Sequence, residues 1–172
     1  MGVGRRAASV GLLVGLVVLA TPSVAAATVS ISVPTTANLG SAPTGGGTLS
    51  AQLGAVTVSA TGVLGLLLPS FTATVSSTSF ATGGGSTAET IPAASIFYWS
   101  GPATATAGLQ TPVPGQLTAN LAQSLSSSPV TAFKSSGTVL SITTTWDPTI
   151  VVHIPAAVVA GTYVGTITQS AA

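Results

Sequence analysis

The sequence contains no cysteine, which excludes a disulfide framework and a thiolate metal site together. Charge is almost as scarce, with three Lys or Arg and two Asp or Glu in 172 residues. Arg5 and Arg6 stand at the start of the chain, so Glu89, Lys134 and Asp147 carry all the charge of the remainder. No basic patch exists to neutralise phosphates, and a nucleic-acid partner is not expected. Long-range steering of a charged ligand is equally unsupported.

The scarcity of titratable groups bears directly on catalysis. A glycosidase working with two carboxylates would have to pair Glu89, in the stretch Ser86-Thr87-Ala88-Glu89-Thr90, with Asp147,. A Ser/His/Asp triad would have to use Asp147 and His153, because His153 is the only histidine,. No Gly-x-Ser-x-Gly elbow occurs, and one imidazole with two carboxylates falls below any metal-ligand spacing,. The glycine triplets Gly45-Gly46-Gly47 and Gly83-Gly84-Gly85 lie between strand-like segments, not ahead of a helix, so neither is a phosphate cradle,. The expectation is a protein that is not an enzyme and needs no cofactor or metal.

What the chain has instead is apolar and hydroxyl-bearing residues. Its hydrophobic content of 46% is far above a disordered composition,. Near the N-terminus, Arg5-Arg6 is followed by the apolar run Val10–Ala20, the break Thr21-Pro22 and the small residues Ser23-Val24-Ala25-Ala26-Ala27. That order is the pattern of a secretory signal peptide, read here as residues 1–27, with cleavage after Ala25, Ala26 or Ala27. The run is too short to span a bilayer, which takes about 20 residues, so no membrane anchor is expected in the mature protein. Arg5-Arg6 lacks the flanks of a twin-arginine signal, which favours the general export route. Removing 27 of 172 residues leaves 145, one domain of ordinary size over 28–172,. Its net charge is −1, from one lysine and two acids.

Within that domain a period of two recurs, and helical periodicity is nearly absent. Val29, Ile31 and Val33 alternate with Ser30 and Ser32. The same holds for Val56 and Val58, for Phe71, Ala73 and Val75, for Leu140, Ile142 and Trp146, and for Ile150, Val152 and Ile154. Tyr163 and Ile167 alternate with Val164, Thr166 and Thr168. Each segment is bounded by Gly or Pro and encodes a strand with one apolar and one hydroxyl face. Asp147-Pro148 reads as a tight connection between two strands. The stretch from Gly101 to Pro129 lacks alternation, and Gln116–Leu125 reads as one short helix. The fold class expected is all-β: one antiparallel β-sandwich of immunoglobulin-like kind, with Phe71, Val75, Trp146, Val152, Ile154 and Tyr163 in its core.

Two features stand apart from this pattern. The run Val63-Leu64-Gly65-Leu66-Leu67-Leu68-Pro69 reads as a core strand or the lead-in to Phe71, the alternative being an exposed patch for a partner. The cluster Phe97-Tyr98-Trp99 puts Tyr98 on one face and its neighbours on the other, without saying which face is buried. Exposed aromatics on a sheet stack sugar rings, so Tyr98, Trp99 and Trp146 are the candidate ligand contacts, set against core packing as the plainer reading.

Two further stretches resemble exported proteins of high-GC Gram-positive bacteria grouped near the WxL surface-domain family. One is Phe71–Phe80 followed by Glu89-Thr90-Ile91-Pro92-Ala93; the other is Thr145-Trp146-Asp147-Pro148-Thr149 through Ile154-Pro155-Ala156 to Ala160–Thr166. Phe71 stands where the family has the tryptophan of its first Trp-x-Leu motif, and the second motif is missing. The resemblance implies a β-sandwich attached non-covalently to peptidoglycan or another wall glycan or protein. The step Gly161-Thr162-Tyr163 also looks like a tyrosine corner. The expectation is therefore a secreted, non-catalytic module associated with the cell surface or cell wall. The alternative is a structural extracellular subunit that associates with itself or another protein.

Overall fold

The structure is a computed structural model, and it describes residues 27–172 apart from Leu66. The signal-peptide reading of the N-terminus lies outside the described residues. Fourteen strands follow in order: β1 (Thr28–Ser32), β2 (Gly47–Gln52), β3 (Val56–Thr61), β4 (Ser70–Ser77), β5 (Phe80–Ala81), β6 (Thr90–Ile91), β7 (Ile96–Trp99), β8 (Ala103–Ala107), β9 (Gln110–Pro114), β10 (Gln123–Ser124), β11 (Val130–Gly137), β12 (Ser141–Trp146), β13 (Thr149–Ile154) and β14 (Ile167–Ala171). Three single 3₁₀ turns are the only helical pieces among the described residues, and no helix is long and apolar enough to cross a membrane.

The fold is an antiparallel β-sandwich. One sheet has the order β1-β3-β12-β8 and the other β14-β4-β11-β9. Their apolar parities face each other. Val56, Val58, Ala60, Ile142 and Trp146 come from the first sheet, and Phe71, Ala73, Val75 and Phe133 from the second, all buried. Trp146 stacks on Phe133 with ring centroids 4.8 Å apart, the largest aromatic contact of the core,. The hydroxyl parity of the first sheet points outward, where Thr57 meets Thr145 at 2.9 Å and Ser59 meets Thr143 at 3.0 Å. A polar node also joins the two layers. Gln110 Oε1 accepts from Thr144 Oγ1 and Ser135 Oγ, while its Nε2 donates to the carbonyls of Ala107 and Thr143.

A third sheet, β10-β7-β13-β2, extends the first one lengthwise. The register runs from Ser141↔Thr61 to Trp146↔Val56, crosses a Leu53 N–H to Pro148 carbonyl bond, and resumes from Thr149↔Gln52 to Ile154↔Gly47. β12 and β13 are thus one bent strand lying along β3 and β2, with β8 and β7 on its other side. The sequence expectation of a reversing turn at Asp147-Pro148 is corrected: proline removes one ladder donor there, and the strand kinks and carries on.

Four further expectations are corrected. Gly101–Pro129 contains two strands, β8 in one sheet and β9 in the other, disguised because Ala103–Ala107 alternates only Ala with Thr and because β9 carries Pro112 and Pro114. β9 is an edge strand, where a missing N–H costs nothing,. Gln116–Leu125 forms a single 3₁₀ turn at Ala119–Leu121 and the short β10, not a helix. Val63–Pro69 is the lead-in to β4 and not a core strand: a Val63↔Leu67 bridge closes a loop whose Leu64 is 84% exposed. The last strand begins only at Ile167, and Ile154 and Tyr163 flank the core half-buried. Phe71, Val75, Trp146 and Val152 are buried as expected.

Candidate functional site

β7 settles the parity question. Ile96 and Tyr98 point inward, and Phe97 and Trp99 are part-exposed on the outer face. Tyr98 and Trp146, two of the three candidate contacts, are fully buried, and Trp146 Nε1 donates to the Tyr98 hydroxyl at 3.2 Å. Neither ring can face a ligand. Their bond satisfies both polar ends inside the core, and burial pushes the Tyr98 hydroxyl's pKa well above the usual tyrosine value,.

Trp99 remains available, and it has company. Residues directly opposite in antiparallel pairs share a face. Phe97 is opposite Val151 and then Ser50; Trp99 is opposite Thr149 and then Gln52; His153 is opposite Thr48. On the remaining side, Ser124 of β10 is opposite Phe97. The outer face of this sheet therefore presents two aromatic rings and an imidazole among hydroxyl and amide groups. The Phe97 and His153 rings meet edge to face at 4.9 Å, and Thr48 Oγ1 lies 3.5 Å from His153 Nδ1. Gly101, with φ +69°, brings its backbone beside the Trp99 ring without a side chain in the way,. Such a face can stack planar, hydroxyl-rich groups and offer them donors and acceptors at its margin.

His153 is exposed on the outward parity of β13, and its link to Phe97 was not legible from either residue's own segment. The charged residues are elsewhere. The Glu89 carboxylate folds back over the glycine turn, accepting the Ser86 N–H at 3.0 Å. Hydrogen bonds from the Ser86 backbone first, then its side chain, hold its pKa below the usual carboxylate range. Asp147 lies in the kink of the bent strand, six residues from His153, about 20 Å along an extended chain,. The two do not meet. Tyr163 donates its hydroxyl to the Val159 carbonyl at 2.8 Å, four residues upstream, as a tyrosine corner does,.

No known protein family, curated protein or solved structure matches the chain.

Proposed function

We propose that the protein is a non-catalytic extracellular module that docks on a cell-wall glycan through the outer face of β10-β7-β13-β2. The observation that carries this reading is the part-exposed pair Phe97 and Trp99, set beside His153 and bordered by Thr48, Ser50, Gln52 and Ser124. Sugar rings have apolar faces and hydroxyl rims, and this surface is complementary to both. The N-terminal export pattern and the resemblance of Phe71–Phe80 and Thr145–Thr166 to wall-attached sandwiches support the location. The charge-poor surface supports a neutral polymer over a charged one. Attachment by this face is non-covalent.

The test is sedimentation with purified Gram-positive walls and with soluble glycan fragments. Trp99→Ala should lower wall affinity roughly tenfold to a hundredfold, the range expected for losing one stacking ring. Thr57→Ala, on the hydroxyl face of the neighbouring sheet, should leave it unchanged. Wall binding untouched by both Trp99→Ala and Phe97→Ala would refute the assignment of this face.

A further inference from the structure

One end of the sandwich is made of three loops: 62–69 between β3 and β4, 108–109 between β8 and β9, and 138–140 between β11 and β12. Backbone bonds tie them together, from Gly62 N–H to the Leu140 carbonyl, Gly137 N–H to Pro69 and Thr138 N–H to Leu109. On this end Leu64, Leu67, Leu68, Leu109, Val139 and Leu140 are exposed, Leu64 by 84% and Leu109 by 70%. None of the three loops contains a charged residue. Exposed apolar residues occur singly on any protein, but six gathered at one uncharged end mark a contact surface.

We infer that this end seats on a lipid bilayer surface, its leucines entering the interface between headgroups and acyl chains. The chain path argues for lipid as the occupant. β1 begins at Thr28, which pairs with Thr61 at the mouth of loop 62–69. Residues 1–26, with the apolar run Val10–Ala20, therefore join the domain at this same end. During export, before cleavage frees the domain, that run holds the leucine-bearing end against the bilayer. This orientation rests on the export reading of residues 1–26, whereas the apolar end stands on the geometry. The end is made of loops, and exposed loop leucines can enter the interface between headgroups and acyl chains,. Lys134, exposed on β11 three residues behind Gly137, lies about 10 Å from the tip, at the depth of the headgroups,.

The experiment uses the full chain expressed in an exporting host, recovered as the host releases it, with its mass measured to show how much of 1–26 it retains. Flotation with phosphatidylcholine vesicles is compared between this protein and Leu64→Ser/Leu67→Ser/Leu68→Ser. The wild-type chain should bind neutral vesicles with little dependence on salt. The triple variant, carrying the same N-terminus, should bind at least about tenfold more weakly. Leu109→Trp supplies a second measurement, since its fluorescence should shift to the blue with vesicles present. Absence of flotation, equal flotation of the triple variant, or an unshifted Leu109→Trp spectrum would each overturn the proposal. So would a dimer in light scattering that the triple substitution dissolves, because the end would then belong to a second copy. Wall sedimentation of the triple variant should stay normal, which separates this surface from the aromatic face.

Discussion

The Tyr98 hydroxyl and the Trp146 indole N–H meet at 3.2 Å in the centre of the core, out of reach of water. Tyr98→Phe leaves the indole donor buried without an acceptor, which costs about 1–3 kcal/mol. Urea unfolding should show that loss with little change in the slope. The same burial predicts behaviour in alkali. The folded pKa of Tyr98 lies above its unfolded value of about 10,. Its protonated form therefore contributes stability fully below pH 10, and that contribution drains away as pH rises beyond it. Between pH 9 and 11.5, wild-type stability should fall more steeply than that of Tyr98→Phe, by unfolding at a series of pH values. Glu89 gives the opposite sign. Its pKa is lowered in the fold, so its support of the glycine turn is present at neutral pH and lost as pH falls through the carboxylate range,. Glu89→Ala should thus narrow the gap between neutral and acidic stability. At this scale the sequence was half legible. Trp146 and Val152 show their burial by parity, whereas Phe97-Tyr98-Trp99 are all large rings, and only the neighbouring strands decide which faces in.

Strand existence was readable wherever β-branched residues alternate with Ser or Thr, as in β3, β4, β12 and β13. It was not readable in β8, because an Ala–Thr alternation has little hydrophobic contrast, nor in β9, where two prolines argue against a strand until its edge position is known. Whether two strands reverse or continue at Asp147-Pro148 depends on the partner ladder, since the Leu53–Ala55 irregularity in the facing strand bends at the same level. The connection Gly108-Leu109, which carries the chain from one sheet to the other, offers a sharp test of the element scale. Gly108 has φ +81°, and a Cβ there would overlap the Ser141 carbonyl oxygen and press on Ile142 and Val139 at 3.2 Å. Gly108→Ala should therefore cost about 3 kcal/mol, combining backbone strain with a clash against main chain that cannot yield. Gly85→Ala is the control: φ is +74° but the space is open, so only the strain of about 1 kcal/mol remains,. Equal losses at the two positions in denaturant titrations would mean that the turn does not pack on β12 as described.

At the scale of the whole molecule, the bent strand sets the two proposed contact surfaces apart. From Ser141 at the leucine-bearing end to Val151 beside Phe97 is ten residues, about 33 Å along the strand path,. One end suits an apolar interface and the other a hydroxylated polymer, so a single copy has the reach to touch membrane and wall at once. The scarcity of charge is what led to the proposal of a neutral, close-range mode of contact. It could not place either surface, because the loops that form the apolar end come from three separate parts of the chain. The sparse charge yields the final prediction. Between residues 28 and 172 only Glu89, Lys134 and Asp147 are charged; Glu89 is occupied by its own turn, Lys134 is on β11 of another sheet, and Asp147 alone lies near the aromatic face, two residues before Thr149. Screening over a Debye length of about 10 Å at 0.1 M salt therefore has only one half-buried carboxylate to act on there,. Wall affinity should stay within about twofold from 0.05 to 1 M sodium chloride. Sodium sulfate, which strengthens apolar burial, should raise it. An affinity that collapsed in high salt would point to contacts through the few charges of the domain and not to stacking on Trp99.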